Sequence, residues 1–89
     1  MTGHEESRKE VYLTRIDPDA DAFRFYSLQV QPSLFEGYAL LRAWGRIGQN
    51  RTEKIELYTT YEEACRALKE RHMQKQARGY SPTQNGIER

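Results

Sequence analysis

The chain has 89 residues and a net charge of +1, with 30% charged and 37% hydrophobic residues and one cysteine, Cys65. That length leaves room for one core, burying about 60% of the surface its unfolded form exposes, so a second domain is not expected and each aromatic residue counts. The longest apolar runs fall far short of the about 20 residues a membrane span needs, and a lone cysteine excludes an internal disulfide or a zinc ribbon; a monomer of the reducing cytoplasm is expected, away from membranes and without metal or cofactor.

Residues 1 to 9 are polar, lack apolar periodicity and read as a flexible tail. Residues 11 to 16, rich in β-branched and aromatic side chains, predict a first strand that stops at the Asp-Pro-Asp run around Pro18. A second strand is predicted over residues 23 to 30, with Tyr26, Leu28 and Val30 on one face, before Pro32, Ser33 and Gly37 mark a turn. The third strand runs over 38 to 47 and the fourth over 52 to 58, where Ile55 and Leu57 share a face opposite Lys54, Glu56 and Tyr58. Short connections favour an antiparallel meander. Thr60 followed three residues later by Glu63 has the form of a capping box, predicting a helix to about residue 78 that Gly79 terminates. Residues 81 to 89 read as a second tail, which leaves 10 to 80 as the folded unit. The fold class expected is α+β, an antiparallel sheet of four to five strands with one packed helix.

The helix carries a narrow apolar stripe of Tyr61, Ala64, Cys65, Leu68 and His72. The small residues Ala39, Ala43 and Gly45, with Leu41 and Ile47, make one face of the third strand the expected seat for it. The opposite face then presents Tyr38, Leu40, Arg42, Trp44 and Arg46 to solvent. Charge is uneven along the chain, −3 over residues 1 to 36 and +4 over 37 to 89, which allows a local basic face. Cys65 and His72 lie about 10.5 Å apart along a helix axis, too far for a thiol to be activated. No paired carboxylates, phosphate-cradling glycine loop or histidine cluster argues for an enzyme.

Trp44 and Arg46 flank Gly45, and strand geometry places indole and guanidinium on one face beside Arg42. A flat ring next to an arginine fork suits a sugar or base plus a phosphate. On the residues alone, the single tryptophan of a small domain is more often core than ligand platform, with an arginine stacked on it.

Trp44-Gly45-Arg46-Ile47-Gly48 resembles the signature of the WGR domain, and the flanks agree. Phe25-Tyr26-Ser27-Leu28-Gln29, Gly37-Tyr38, Ala64 and the basic close from Lys75 to Gly79-Tyr80 resemble the family's order over residues 10 to 80. The resemblance implies a sheet with one helix, found in DNA-dependent poly(ADP-ribose) polymerases and as isolated bacterial proteins. In the polymerases the domain binds DNA at a break, near the 5′ end. Carried over, Trp44 packs on the terminal sugar, Arg46 reaches phosphate or a partner surface, and Arg24 stands where a phosphate-binding lysine is frequent. Gly45 lets the backbone pass, while Arg51, Lys75 and Arg78 are further phosphate contacts. Phe23, Ala43 and the Arg51-Thr52 pair depart from common family residues. The reading is a non-catalytic module whose partner is nucleic acid, DNA in preference to RNA, contacted at a 5′ end or break. A protein-interaction module using the same Trp/Arg face is the alternative.

Overall fold

A computed structural model describes residues 9–82. Strands β1 (Lys9–Asp17), β2 (Ala22–Pro32), β3 (Tyr38–Arg46) and β4 (Arg51–Tyr58) precede one helix, α1 (Tyr61–Ala77), and a two-residue strand, β5 (Ser81–Pro82). The strands form one antiparallel sheet in the order β4-β3-β2-β1-β5. The expected α+β meander is present, with β1, β2 and β4 longer than the hydrophobic runs suggested and β3 one residue shorter. The tails expected at 1 to 9 and 81 to 89 lie outside the described residues except for Lys9, Ser81 and Pro82, which are paired in strands.

Local chemistry fixes each connection. Between β1 and β2 the Pro18–Ala20 turn is a single 3-10 turn closed by Asp21, whose φ of 54 lies in the left-handed region that aspartate tolerates. The β2–β3 hairpin closes through Ser33 donating to the Gly37 carbonyl at 3.0 Å. Gly37 has φ +77, and a Cβ there would overlap the Tyr58 carbonyl oxygen, so only glycine fits where β4 hands over to the helix. The capping box forms as expected: the Thr60 hydroxyl accepts from the Glu63 amide at 3.1 Å, and the Glu63 carboxylate accepts from the Thr60 amide. At the other end Gly79, with φ +97, turns the chain towards Tyr80 and β5.

The helix packs on the opposite face of β3 from the one its small residues suggested. Ala64 and Leu68 meet Leu13, Tyr26, Leu28, Val30 and Leu40, all fully or nearly fully buried, with Tyr38 and Trp44 at the margin. A narrow stripe needs bulk beneath it, and Leu40 supplies it. Burying one leucine contributes about 1.5 to 3 kcal/mol, which outweighs any gain from closer approach over Ala39 and Ala43. Arg42 is tolerated on this face because its guanidinium is satisfied there by hydrogen bonds. The face carrying Leu41, Ile55 and Leu57 is left uncovered by the helix.

Candidate functional site

The helix runs alongside β3. Its start sits over Tyr38, whose ring meets Tyr61 edge-on at 5.4 Å, and its end reaches Tyr26, the residue directly opposite Trp44 in the β2–β3 ladder. Because 17 helical residues at 1.5 Å each are shorter than the strands below, the helix stops before the sheet does. Trp44 therefore lies on the helix-bearing face but beside the helix terminus, half-buried. Its indole stacks on Tyr26 at 5.4 Å and 9°, a cross-strand pair of flat rings with Tyr26 itself buried.

Cations gather around this pair. The Arg42 guanidinium lies 5.1 Å from the Trp44 ring centre, while its Nε donates to the Tyr26 hydroxyl at 3.0 Å. Arg42 Nη1 also donates to Glu56 at 2.7 Å, and Arg71 of the helix reaches the same carboxylate oxygen at 3.0 Å. Burial works against ionisation of Glu56, but hydrogen bonds from Arg42 and Tyr58 and the charge of Arg71 outweigh it and hold its pKa below the usual carboxylate value. Burial likewise opposes the Arg42 charge, and its bonds to Tyr26 and Glu56 more than restore it. Tyr58, partly buried and donating to Glu56, is held above the ordinary phenol value.

Lys75 is the unbalanced member. Its ammonium sits 4.5 Å over the Tyr26 ring and 5.6 Å from that of Tyr80, and no carboxylate among the described residues engages it. Burial first, then the charges of Arg78, Arg42 and Arg71, push its pKa down. Lys75, Arg71 and Arg78 line one cleft of about 520 Å³ with Tyr26, Arg42 and Gln74, between the end of α1 and the sheet. Four cations line the cleft and Glu56 engages two of them, Arg42 and Arg71, so positive charge is in excess there beside an aromatic surface.

A family model for the WGR domain matches residues 9–87. The chain belongs to the WGR domain family. It is 36% identical over 72 residues to "Uncharacterized protein y4dW" of Sinorhizobium fredii (strain NBRC 101917 / NGR234), a match taking in 81% of this chain and 35% of that protein. The chain thus spans about a third of the length of that curated relative. No solved structure matches the chain.

The WGR signature falls at the exit of β3. Gly45 lets β4 come close, since a Cβ there would stand 3.0 Å from the Asn50 carbonyl oxygen and 3.3 Å from Arg51 Cα. Arg46 turns away from the cleft: it lies 5.3 Å from the Phe23 ring and pairs with Asp21 at 3.1 Å. Arg24 opposes Arg46 in the β2–β3 register and is exposed, so two like charges meet at the sheet end. Arg51 is bound to Glu53 at 2.7 Å and borders a groove with Ser27, Gln29 and Ala43 on the uncovered face. Of the residues expected to share a site, the fold brings Trp44, Lys75 and Arg78 to one end and sets Arg46 and Arg24 at the rim. Arg51 stands on the far side of the sheet.

Sequence reading passed over Arg71, Tyr26 and Tyr80 as site residues, and Arg42 was only a neighbour of Trp44. The signal for the first two was present. Arg71 and Lys75 are four apart and share a helix face, and Tyr26 is the aromatic that the antiparallel register sets against Trp44.

Proposed function

We propose that this WGR domain is a non-catalytic nucleic-acid-binding module that takes DNA in preference to RNA, at a 5′ end or break, through phosphate and sugar. One observation carries it: the half-buried Trp44, stacked on the buried Tyr26, flanks the helix end beside a Lys75 ammonium surrounded by rings and cations. A partly desolvated charge without a counterion gains by taking up an anion, and a phosphate oxygen supplies one. The adjoining ring surface offers stacking area for a terminal sugar or base. Arg78 and Arg71 extend the phosphate path along the helix, and Arg24 and Arg46 extend it over the sheet end. Net charge near zero keeps the attraction local to this end.

Amide-resolved NMR titration with a blunt DNA duplex carrying a 5′ phosphate, and with an RNA duplex of matching sequence, tests the reading. Shifts are expected at the Trp44 indole N–H, Lys75, Arg78 and Tyr80, larger with DNA, while Ile55 and Leu57 stay still. Shifts confined to the uncovered face, or none, would overturn it.

A protein-interaction reading draws on Arg46. Stacked near Phe23 and tied to Asp21, it is a pre-ordered arginine–aromatic pair of the kind that anchors protein interfaces.

A further inference from the structure

The outer edge of β4 is bare. This strand pairs with β3 without a break from Tyr38↔Tyr58 to Gly45↔Arg51, and nothing among the described residues pairs with its other side. It contains no proline, glycine or bulge, so it presents the regular row of free N–H and C=O groups that edge strands ordinarily conceal. Ile55 and Leu57 are 62% and 66% exposed on the face the helix leaves open. Leu34 and Phe35 of the β2–β3 hairpin, 96% and 88% exposed, border the same apolar groove with Pro32 and Leu41. The helix packs chiefly on β2 and β3 and touches β4 less, and no strand among the described residues pairs with the outer side of β4.

We propose that a second copy of this chain occupies that edge, with the two β4 strands antiparallel about a two-fold axis at Ile55. An axis normal to the sheet keeps both helices on one face, so paired residues must point the same way and only registers centred on a residue are allowed. Centring on Ile55 places Ile55 against Ile55 and sets Lys54 opposite Glu56 of the second copy, twice by symmetry. It also sets Thr52 opposite Tyr58, and seven residues of each strand overlap. Centring on Glu53, Lys54 or Glu56 would instead set like charges against each other on the axis, which is destabilising across strands. Centring on Arg51, Thr52, Leu57 or Tyr58 leaves at most three β4 residues of each copy overlapping, so charge and overlap together select Ile55. The result is a continuous ten-stranded sheet in which the two apolar grooves lie on one face, away from the Trp44–Lys75 end of each copy. Composition alone suggests a monomer; the edge of β4 is what argues for the pair.

Sedimentation velocity from low-micromolar to near-millimolar concentration, together with cysteine cross-linking in a Cys65→Ser background, tests this. The parent chain should shift towards twice its 10.5 kDa mass as concentration rises. Ile55→Cys should oxidise to a covalent dimer while Thr52→Cys stays monomeric. Ile55→Asp, which places two carboxylates on the axis, should remain folded by circular dichroism and sediment as a monomer throughout. A parent chain that stays at monomer mass, an Ile55→Asp variant that still dimerises, or Thr52→Cys cross-linking as fully as Ile55→Cys would each overturn the proposal.

Discussion

Trp44 sits between core and platform, and its surroundings apportion the two roles. The indole stacks on Tyr26 and carries the Arg42 guanidinium over its ring, yet it remains only partly buried against the core. Trp44→Ala should therefore destabilise the domain by about 2 kcal/mol, less than the about 3 to 5 expected for a fully buried tryptophan. It should also remove about 1 to 3 kcal/mol of nucleic-acid binding; thermal melts and DNA titrations on the same variant separate the two losses. Glu56 belongs to stability, not to the site. Its lowered pKa means the folded state favours the carboxylate, so its contribution is in place above the ordinary carboxylate pKa and is lost as pH falls through the lower folded value. The Arg42 and Glu56 side chains are only 12% and 20% exposed, so solvent screens the pair weakly and Glu56→Gln should cost about 2 kcal/mol at neutral pH. Melting temperatures followed from neutral to acid pH should converge for parent and variant, because protonation does to the parent what the substitution has already done.

At the scale of elements, the capping box and the hairpin are where sequence and structure meet most closely. Thr60 and Glu63 announced the helix start because the geometry depends on two side chains at a fixed spacing, independent of anything distant. Thr60→Ala should cost about 1 kcal/mol in a chemical denaturation. Gly37→Ala should cost about 2 kcal/mol or more, since it combines a left-handed backbone with overlap against the Tyr58 carbonyl. The short β5 was illegible, as two residues carry no periodicity and their pairing with Leu13 and Thr14 depends on where the helix returns the chain. The seat of the helix was misread for a related reason. Alternation in β3 separates two faces but does not label them, and the label came from β2, where Tyr26, Leu28 and Val30 are registered against Trp44, Arg42 and Leu40.

For the molecule as a whole, the WGR signature and its flanks were readable because they are local strings, whereas the cation cluster is an assembly of β3, β4 and the last helical turns. Arg42, Arg71 and Lys75 are spread over 33 positions of sequence and meet only through the helix crossing the sheet. Arg51, adjacent in sequence to the signature turn, ends on the far face because successive strand residues alternate sides. Binding through about three phosphate contacts at one end predicts an affinity whose logarithm falls with log salt at a slope of about −3. Lys75→Met is the decisive variant, as it retains an unbranched apolar stem over Tyr26 and Tyr80 while removing a charge that burial and neighbouring cations already disfavour. It should melt at or slightly above the parent temperature. In fluorescence anisotropy with a 5′-phosphorylated DNA duplex across a salt series, it should bind more weakly than the parent and lower the magnitude of the slope by about 0.9; equal affinity and an equal slope for a folded Lys75→Met variant would contradict the assignment of this end as the nucleic-acid interface.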